Sequence, residues 1–271
     1  MITTDDRITF DASTDISAQI IRVRSIRAMN AEDHEAFTAA FNRLGFAIVE
    51  CADTTDSRND LLLLKEHFGN HAPHPRADRD GIVGINSFNQ VPGFLGAGRA
   101  NHLPHTDGAF RDNPERIITL QCVTPAESGG VTFLGSAKAA FEHLAIKYPD
   151  TIDAVSRADA LTIERTHQSS RSALFTRDGA RLGIKFRMAD GAARVRPHPD
   201  VAEMFDELCH FLTREENQVR FALRAGQVLI GDNTAIVHGR TSFEQDSARD
   251  MRRLNFDSGP AGLLLGFVPG D

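Results

Sequence analysis

The chain has 271 residues, 41% hydrophobic and 25% charged, enough apolar material for one large core, so a single domain over residues 1–271 is expected. Acidic residues exceed basic ones, 37 to 30, and the resulting charge of −7, with no segregated basic block, argues against a nucleic-acid partner. No apolar run nears the ~20 residues that cross a bilayer, the start MITTDDRITF lacks the order of an export signal, and Cys51, Cys122 and Cys209 form no CxxC pair; a cytoplasmic protein with no membrane partner and no disulfide scaffold is expected.

Along the chain, Ala31 to Leu44 carries Phe37, Ala40, Phe41 and Leu44 at helical spacing, and Gly45 stops that helix before the strand-like FAIVE. A second helix is predicted over Asp56 to Phe68. HAPHPRADRDG (71–81) and NQVPGFLGAGRA (89–100) read as loops. RIITLQCVTPAESGGVTFL (116–134) reads as two strands joined by a Pro/Gly turn, and SAKAAFEHLAIKY as a helix capped by Ser136. Strands follow near ALTIERTH, SALFT and ARLGIKFRM, then a helix over about Val201 to Arg214, then strands near VRFAL, GQVLIGDN, AIVHG and RRLNFDS.

Many short strands with flanking helices, and neither GxGxxG nor GxxxxGK[ST], favour a mostly β, α+β fold: a double-stranded β-helix (jelly roll) with helices around it. The missing phosphate-loop motifs count against a nucleotide enzyme.

The stretch NHLPHTDG places His105 and Asp107 two residues apart, so on an extended segment both project from one face and can meet one cation. His238 in GDNTAIVHGR is the candidate third ligand of a two-histidine, one-carboxylate set that leaves positions open on ferrous iron. Alone, an HxD tripeptide is also a common polar turn, and a histidine on an apolar strand is also a core residue. His67, His71 and His74 lack cysteine partners and read as a solvated loop. His102, three before His105, is expected to face the other way.

HTDG, GGVTFL, DNTAIVHGR and RDMRR stand in the order seen in iron(II)/2-oxoglutarate dioxygenases of the taurine dioxygenase (TauD/TfdA-like, clavaminate synthase-like) superfamily. The chain resembles that group over roughly 101–256, and its first hundred residues match only in general layout. The resemblance implies iron(II) on His105, Asp107 and His238, with dioxygen as oxidant. It implies 2-oxoglutarate on Thr132 and on Arg249, eleven residues past the distal histidine, with Arg252 and Arg253 as rivals; buried carboxylates call for such a guanidinium. It further implies that Arg253 faces an acidic substrate group while Arg252 points away.

Asp107 also separates this chain from related halogenases, which carry a small residue there. Oxidation of a C–H bond, by hydroxylation, desaturation or ring closure with release of succinate and CO2, is the implied reaction. The expected partner is a small molecule, an amino acid derivative or natural-product intermediate. Substrate contacts are expected from Asn86, Phe88, Arg165, His167 and Arg187. Two competing readings are a non-catalytic jelly roll that binds a carboxylate, and a cupin-like dioxygenase that does not use 2-oxoglutarate.

Overall fold

The computed structural model describes residues 7–86, 98–165, 168–244 and 247–270. Two sheets carry the site. The larger has six strands in the order β1 (Ile20–Val23), β2 (Phe46–Cys51), β13 (Gln227–Asp232), β5 (Ile117–Thr124), β15 (Asp250–Arg253) and β3 (Val83–Asn86). The smaller runs β12 (Gln218–Phe221), β6 (Thr132–Ser136), β14 (Ile236–Arg240) and β4 (His102–His105). All these pairs are antiparallel except β1 with β2. This is the jelly-roll arrangement expected from the sequence.

Strand alternation builds the layers. On β2, Phe46 and Ile48 join Leu134, Leu229, Ile236 and Met251 in a core drawn from both sheets. Their neighbours Ala47 and Val49 face the other way, onto α1 (Ala31–Leu44) and α2 (Ser57–Phe68), with Phe37, Phe41, Leu61, Val228 and Ile230. Each fully buried Phe or Leu adds about 1.5–3 kcal/mol of transfer free energy. A third cluster gathers α3 (Ala137–Lys147) and α4 (Ala202–Thr213) over β7 (Leu161–Arg165), β9 (Phe175–Asp178) and β10 (Arg181–Ile184) through Leu144, Leu161, Phe175, Leu182 and Leu208.

Local chemistry sets the helix ends. Asn30 accepts from the Asp33 amide while Asp33 accepts from the Asn30 amide, a capping box that starts α1. Gly45 ends it at φ +85°, where a Cβ would also lie 2.9 Å from the Arg7 guanidinium. The four predicted helices are found within a residue of their expected bounds, with Ser136 capping α3 through the Ala139 amide.

The strand expectations needed correction. β1, β8 (Gln168–Ser172) and β11 (Arg194–Pro197) were not foreseen, because QSSRS and RVRP are polar edge strands flanking β7 and carry no apolar period. The predicted SALFT strand is interrupted: β8 ends at Ser172 and β9 begins at Phe175. β15 lies two residues earlier than RRLNFDS suggested. Among the described residues no helix is long and apolar enough to cross a membrane.

Candidate active site

β14 pairs antiparallel with β4 so that His238 stands directly opposite His105. Gly239 permits this closeness, since a Cβ there would lie 2.5 Å from the His102 carbonyl oxygen and 2.2 Å from the Phe133 ring. The two imidazole centroids are 4.3 Å apart. Asp107, just past the end of β4, brings Oδ1 to 3.6 Å from His105 Nε2 and 3.9 Å from His238 Nε2. One ligand atom from each of the three residues lies within 4.8 Å of the others.

The surroundings hold these groups in ligand form. His105 Nδ1 is 2.8 Å from the Leu103 carbonyl, which puts the ring proton on Nδ1 and leaves Nε2 a bare lone pair, buried with no hydrogen-bond partner. Burial is the main cause that pushes His238 down to about 3, so its ring is neutral. Burial alone would raise the Asp107 carboxyl, but the Arg253 guanidinium outweighs it and holds it well below the usual carboxylate range. Arg253 Nη1 donates to both Asp107 oxygens (3.3 and 3.2 Å), and Asn255 Nδ2 donates to Oδ2 at 2.8 Å. The Asp107 backbone is pinned on both sides by Asn233, whose Oδ1 accepts from its amide (2.8 Å) and whose Nδ2 donates to its carbonyl (2.9 Å). Two nitrogens and one oxygen on rigid elements suit a divalent first-row metal.

Two cavities meet at this point. One, about 630 Å³ including its open mouth, runs from the triad past Thr132 to Arg240 and Arg249. Arg249 is 3% exposed and its Nη1 is buried without a partner. Burial pushes its pKa down to about 10; burial and the Arg249 charge push Arg240 down to about 9. Both still carry a proton at neutral pH, and the Phe243 ring lies 4.7 Å from the Arg240 guanidinium and 5.0 Å from that of Arg249. A buried guanidinium with an idle N–H fits a carboxylate.

The second cavity, about 570 Å³ on the same measure, opens on the other side of the triad and includes Arg165, Arg187 and Arg253 in its wall, as well as Arg76 and Arg111. Of the expected substrate contacts, Arg165, Arg187 and Arg253 are therefore brought together. Asn86 is not: β3 turns Val83 and Ile85 to the cavity, and the Asn86 amide lies 3.5 Å from Asp250. Phe88 and His167 lie outside the described residues. Arg252 points away as alternation requires, toward Ser57 and Gln121.

Two expectations about histidines are corrected. His102 does not face away from His105; its ring centroid lies 3.8 Å from that of His105, the planes tilted by 33°. The pairing explains this, because two residues of β14 span three of β4 between His238↔His105 and Arg240↔His102, and the bulge breaks the alternation. His74 is not a solvated loop residue either: it lines the arginine cavity, and burial, then Arg253, pushes it down to about 3. His67 instead packs its ring 5.1 Å from that of His34, tilted by 49°, and among the described residues neither His67 nor His71 joins a metal-binding group. Asn233, Arg240 and Asn255 were not singled out in the sequence, although Arg240 and Asn255 sit two residues from His238 and from Arg253, where strand alternation returns to the same face.

Comparison with known proteins agrees with this geometry. Residues 9–255 match the family model "Taurine catabolism dioxygenase TauD, TfdA family". A uridine-5'-phosphate dioxygenase from a Streptomyces species is 31% identical over 229 residues, covering 76% of this chain and 82% of that protein. A taurine dioxygenase structure from Burkholderia xenovorans superposes with a TM-score of 0.65 at 19% identity, covering 95% of this chain and 94% of the other. An asparagine oxygenase solved with Fe(II), 3-hydroxyasparagine and succinate gives a TM-score of 0.54 at 17% identity, covering 89% and 90%. A family match across nearly the whole chain favours an enzyme over a non-catalytic carboxylate binder, and this chain belongs to the TauD/TfdA family of dioxygenases.

Proposed function

We propose that this protein is an iron(II)- and 2-oxoglutarate-dependent oxygenase that oxidises a C–H bond of a small molecule, releasing succinate and CO2. The observation that carries this reading is the meeting of His105, Asp107 and His238 within 4.8 Å at the junction of two cavities. His105 and His238 would hold the metal through imidazole nitrogens and Asp107 through a carboxylate oxygen. Arg249, beside Thr132, would grip the far carboxylate of 2-oxoglutarate, which explains a buried guanidinium with an idle N–H. Iron(II) with this cosubstrate supplies dioxygen activation and removal of hydrogen from an unactivated carbon.

The chain's own part is placement and exclusion of water. Asn233 fixes the backbone of Asp107, Asn255 and Arg253 fix its carboxylate, and Leu103 fixes the His105 tautomer. Phe110, Val83 and Ile85 line the substrate side with apolar surface. The uridine-5'-phosphate dioxygenase among the relatives and the asparagine oxygenase of similar fold set the substrate range to consider: nucleotides, amino acid derivatives and natural-product intermediates.

The test is anaerobic addition of iron(II) and 2-oxoglutarate, which should give a weak visible charge-transfer band that is missing in His105→Ala and Asp107→Ala. Aerobic succinate release, screened over those substrate classes, should follow the band. A band of equal strength in both variants would remove these residues from the ligand set.

A further inference from the structure

A third cavity, about 710 Å³ including its open mouth, lies between α1, α2 and residues 260–263. It shares no lining residue with the two cavities that meet at the triad. Strand alternation separates them: on β13, Leu229 lines the cavity that holds Arg249, while its neighbour Ile230 lines this one on the opposite face of the sheet. Both helices turn one side to the space. α1 supplies His34, Phe37 and Thr38, and α2 supplies Leu64, His67 and Phe68, each set at i, i+3 and i+4. Phe37, Leu64 and Phe68, with Val49 and Ile230 from the sheet, are buried and form an apolar floor. His67 is exposed and His34 half-buried, which puts the two imidazoles at the mouth.

An apolar space with a few convergent polar groups is the usual form of a small-molecule site, and the rim here restricts what enters. The two imidazole centroids are 5.1 Å apart with planes tilted by 49°, and among the described residues neither ring makes a hydrogen bond. Burial is the main cause that lowers the His67 pKa from its ordinary 6.5, so this ring is neutral at pH 8. A neutral imidazole has one donor and one acceptor nitrogen, and a hydroxyl answers both by donating to one ring and accepting from the other. A carboxylate has no donor and an ammonium no acceptor. Among the described lining residues there is no Lys, Arg, Asp or Glu to balance either charge. The floor favours an aromatic skeleton: Phe37 and Phe68 meet edge to face, 6.5 Å apart at 80°, and a further ring fits such a wall by edge or offset contact.

We infer that this cavity is a second ligand site, separate from the triad, that takes a neutral phenol with its ring on the Phe37 and Phe68 floor and its hydroxyl between His34 and His67. The inference goes beyond the iron- and 2-oxoglutarate-dependent reading and does not depend on it, since no residue of the metal or cosubstrate site belongs to this cavity.

The whole chain, anaerobic at pH 8 with iron(II) and 2-oxoglutarate, is titrated by calorimetry with three molecules of matched skeleton, 4-propylphenol, propylbenzene and 4-propylbenzoate. A phenol, with a pKa of about 10, keeps its proton at this pH. 4-Propylphenol should bind one to one and about tenfold tighter than either of the others, as expected for two neutral hydrogen bonds. His34→Leu and His67→Leu should each remove most of that preference while propylbenzene still binds. Thr38→Phe, which adds a ring to the space from α1, should block 4-propylphenol and propylbenzene alike. His105→Ala should bind 4-propylphenol as the parent does. Far-ultraviolet circular dichroism should be unchanged in every variant, which separates a lost site from a lost fold. Equal affinity for 4-propylphenol and propylbenzene overturns the inference, and so does tighter binding of 4-propylbenzoate. A phenol site lost in His105→Ala but kept in both His67→Leu and Thr38→Phe overturns it as well, because the ligand then sits at the triad. None of these readings uses turnover, so failure here leaves the oxygenase assignment standing.

Discussion

His105 and His238 face each other across one antiparallel pair, β4 with β14, with ring centroids 4.3 Å apart although 133 residues of chain separate them. A register slip of a single residue would turn His238 to the opposite side of the sheet. The proposed metal site is therefore a property of strand pairing before it is one of side-chain chemistry, and Asp107 would add its anionic ligand.

Asp107→Ala is expected to abolish substrate oxidation and lower iron(II) affinity at least a hundredfold, while far-ultraviolet circular dichroism stays unchanged. Loss of a direct ligand exceeds the roughly ten- to hundredfold cost of losing a group that merely supports one. Turnover retained at near the parent rate would exclude Asp107 from the metal.

Asn255→Ala tests the support. Asn255 donates to Asp107 Oδ2 at 2.8 Å and accepts from the Thr119 amide at 3.0 Å, so its loss leaves Oδ2 to Arg253 alone and strips the Thr119 amide of this partner. Iron affinity should fall about tenfold and stability by about 1–3 kcal/mol. A stability loss with unchanged iron affinity would make Asn255 a structural residue only.

Arg249 and its rival Arg252 are separated by the cosubstrate requirement. Arg249→Ala should raise the 2-oxoglutarate KM about ten- to a hundredfold, the equivalent of ~1.5–3 kcal/mol for a charge-assisted pair. Arg252→Ala, whose side chain reaches Ser57 and Gln121 on the other face, should leave it unchanged. The opposite pattern would move the anchor to Arg252.

The candidate triad His105, Asp107 and His238 and much of the sheet frame were legible in the sequence because both depend on short-range signals: HxD spacing, the apolar runs in GQVLIGDN and AIVHG, and Gly45 after an amphipathic helix. What it hid depends on pairing between distant segments. The bulge that turns His102 onto His105 exists only where β4 meets β14. The substrate-side cavity draws Arg76, Arg111, Arg165, Arg187 and Arg253 from five separate parts of the chain, so no window shows the cluster. β8 and β11 escaped notice for a different reason: as polar edge strands they owe their conformation to β7 rather than to their own composition.

His74 gives the acid side of the stability profile. Its folded pKa of about 3 lies below the ordinary histidine value of 6.5, with burial as the main cause and Arg253 next. The unfolded chain therefore binds the proton first, and the stabilisation is complete above about pH 6.5 and falls progressively toward pH 3. In metal-free protein, denaturant midpoints at pH 7.5 and pH 5 should differ less for His74→Gln than for the parent. An equal drop in both proteins would show that His74 titrates normally.

Arg7 and Asp232 form a fully buried ion pair at 2.7 Å, with side chains 2% and 0% exposed. The Asp232 carboxylate also accepts from the Gly266 amide (2.7 Å) and from the Thr234 amide and hydroxyl (2.8 and 2.6 Å), so its position is fixed without Arg7. Removing the guanidinium in Arg7→Ala would strand a desolvated negative charge rather than let it relax, at a cost of about 3–5 kcal/mol. Asp232 directly precedes Asn233, which pins the backbone of Asp107, so the damage should reach the metal. The expected result is a fall in Tm of roughly 10 °C together with weaker iron binding, and Arg7→Lys, which keeps the charge but not the fork, should lie between the two. A loss under about 1 kcal/mol in Arg7→Ala, the range of exposed pairs, would show that water reaches Asp232 and that the pair does not anchor the site.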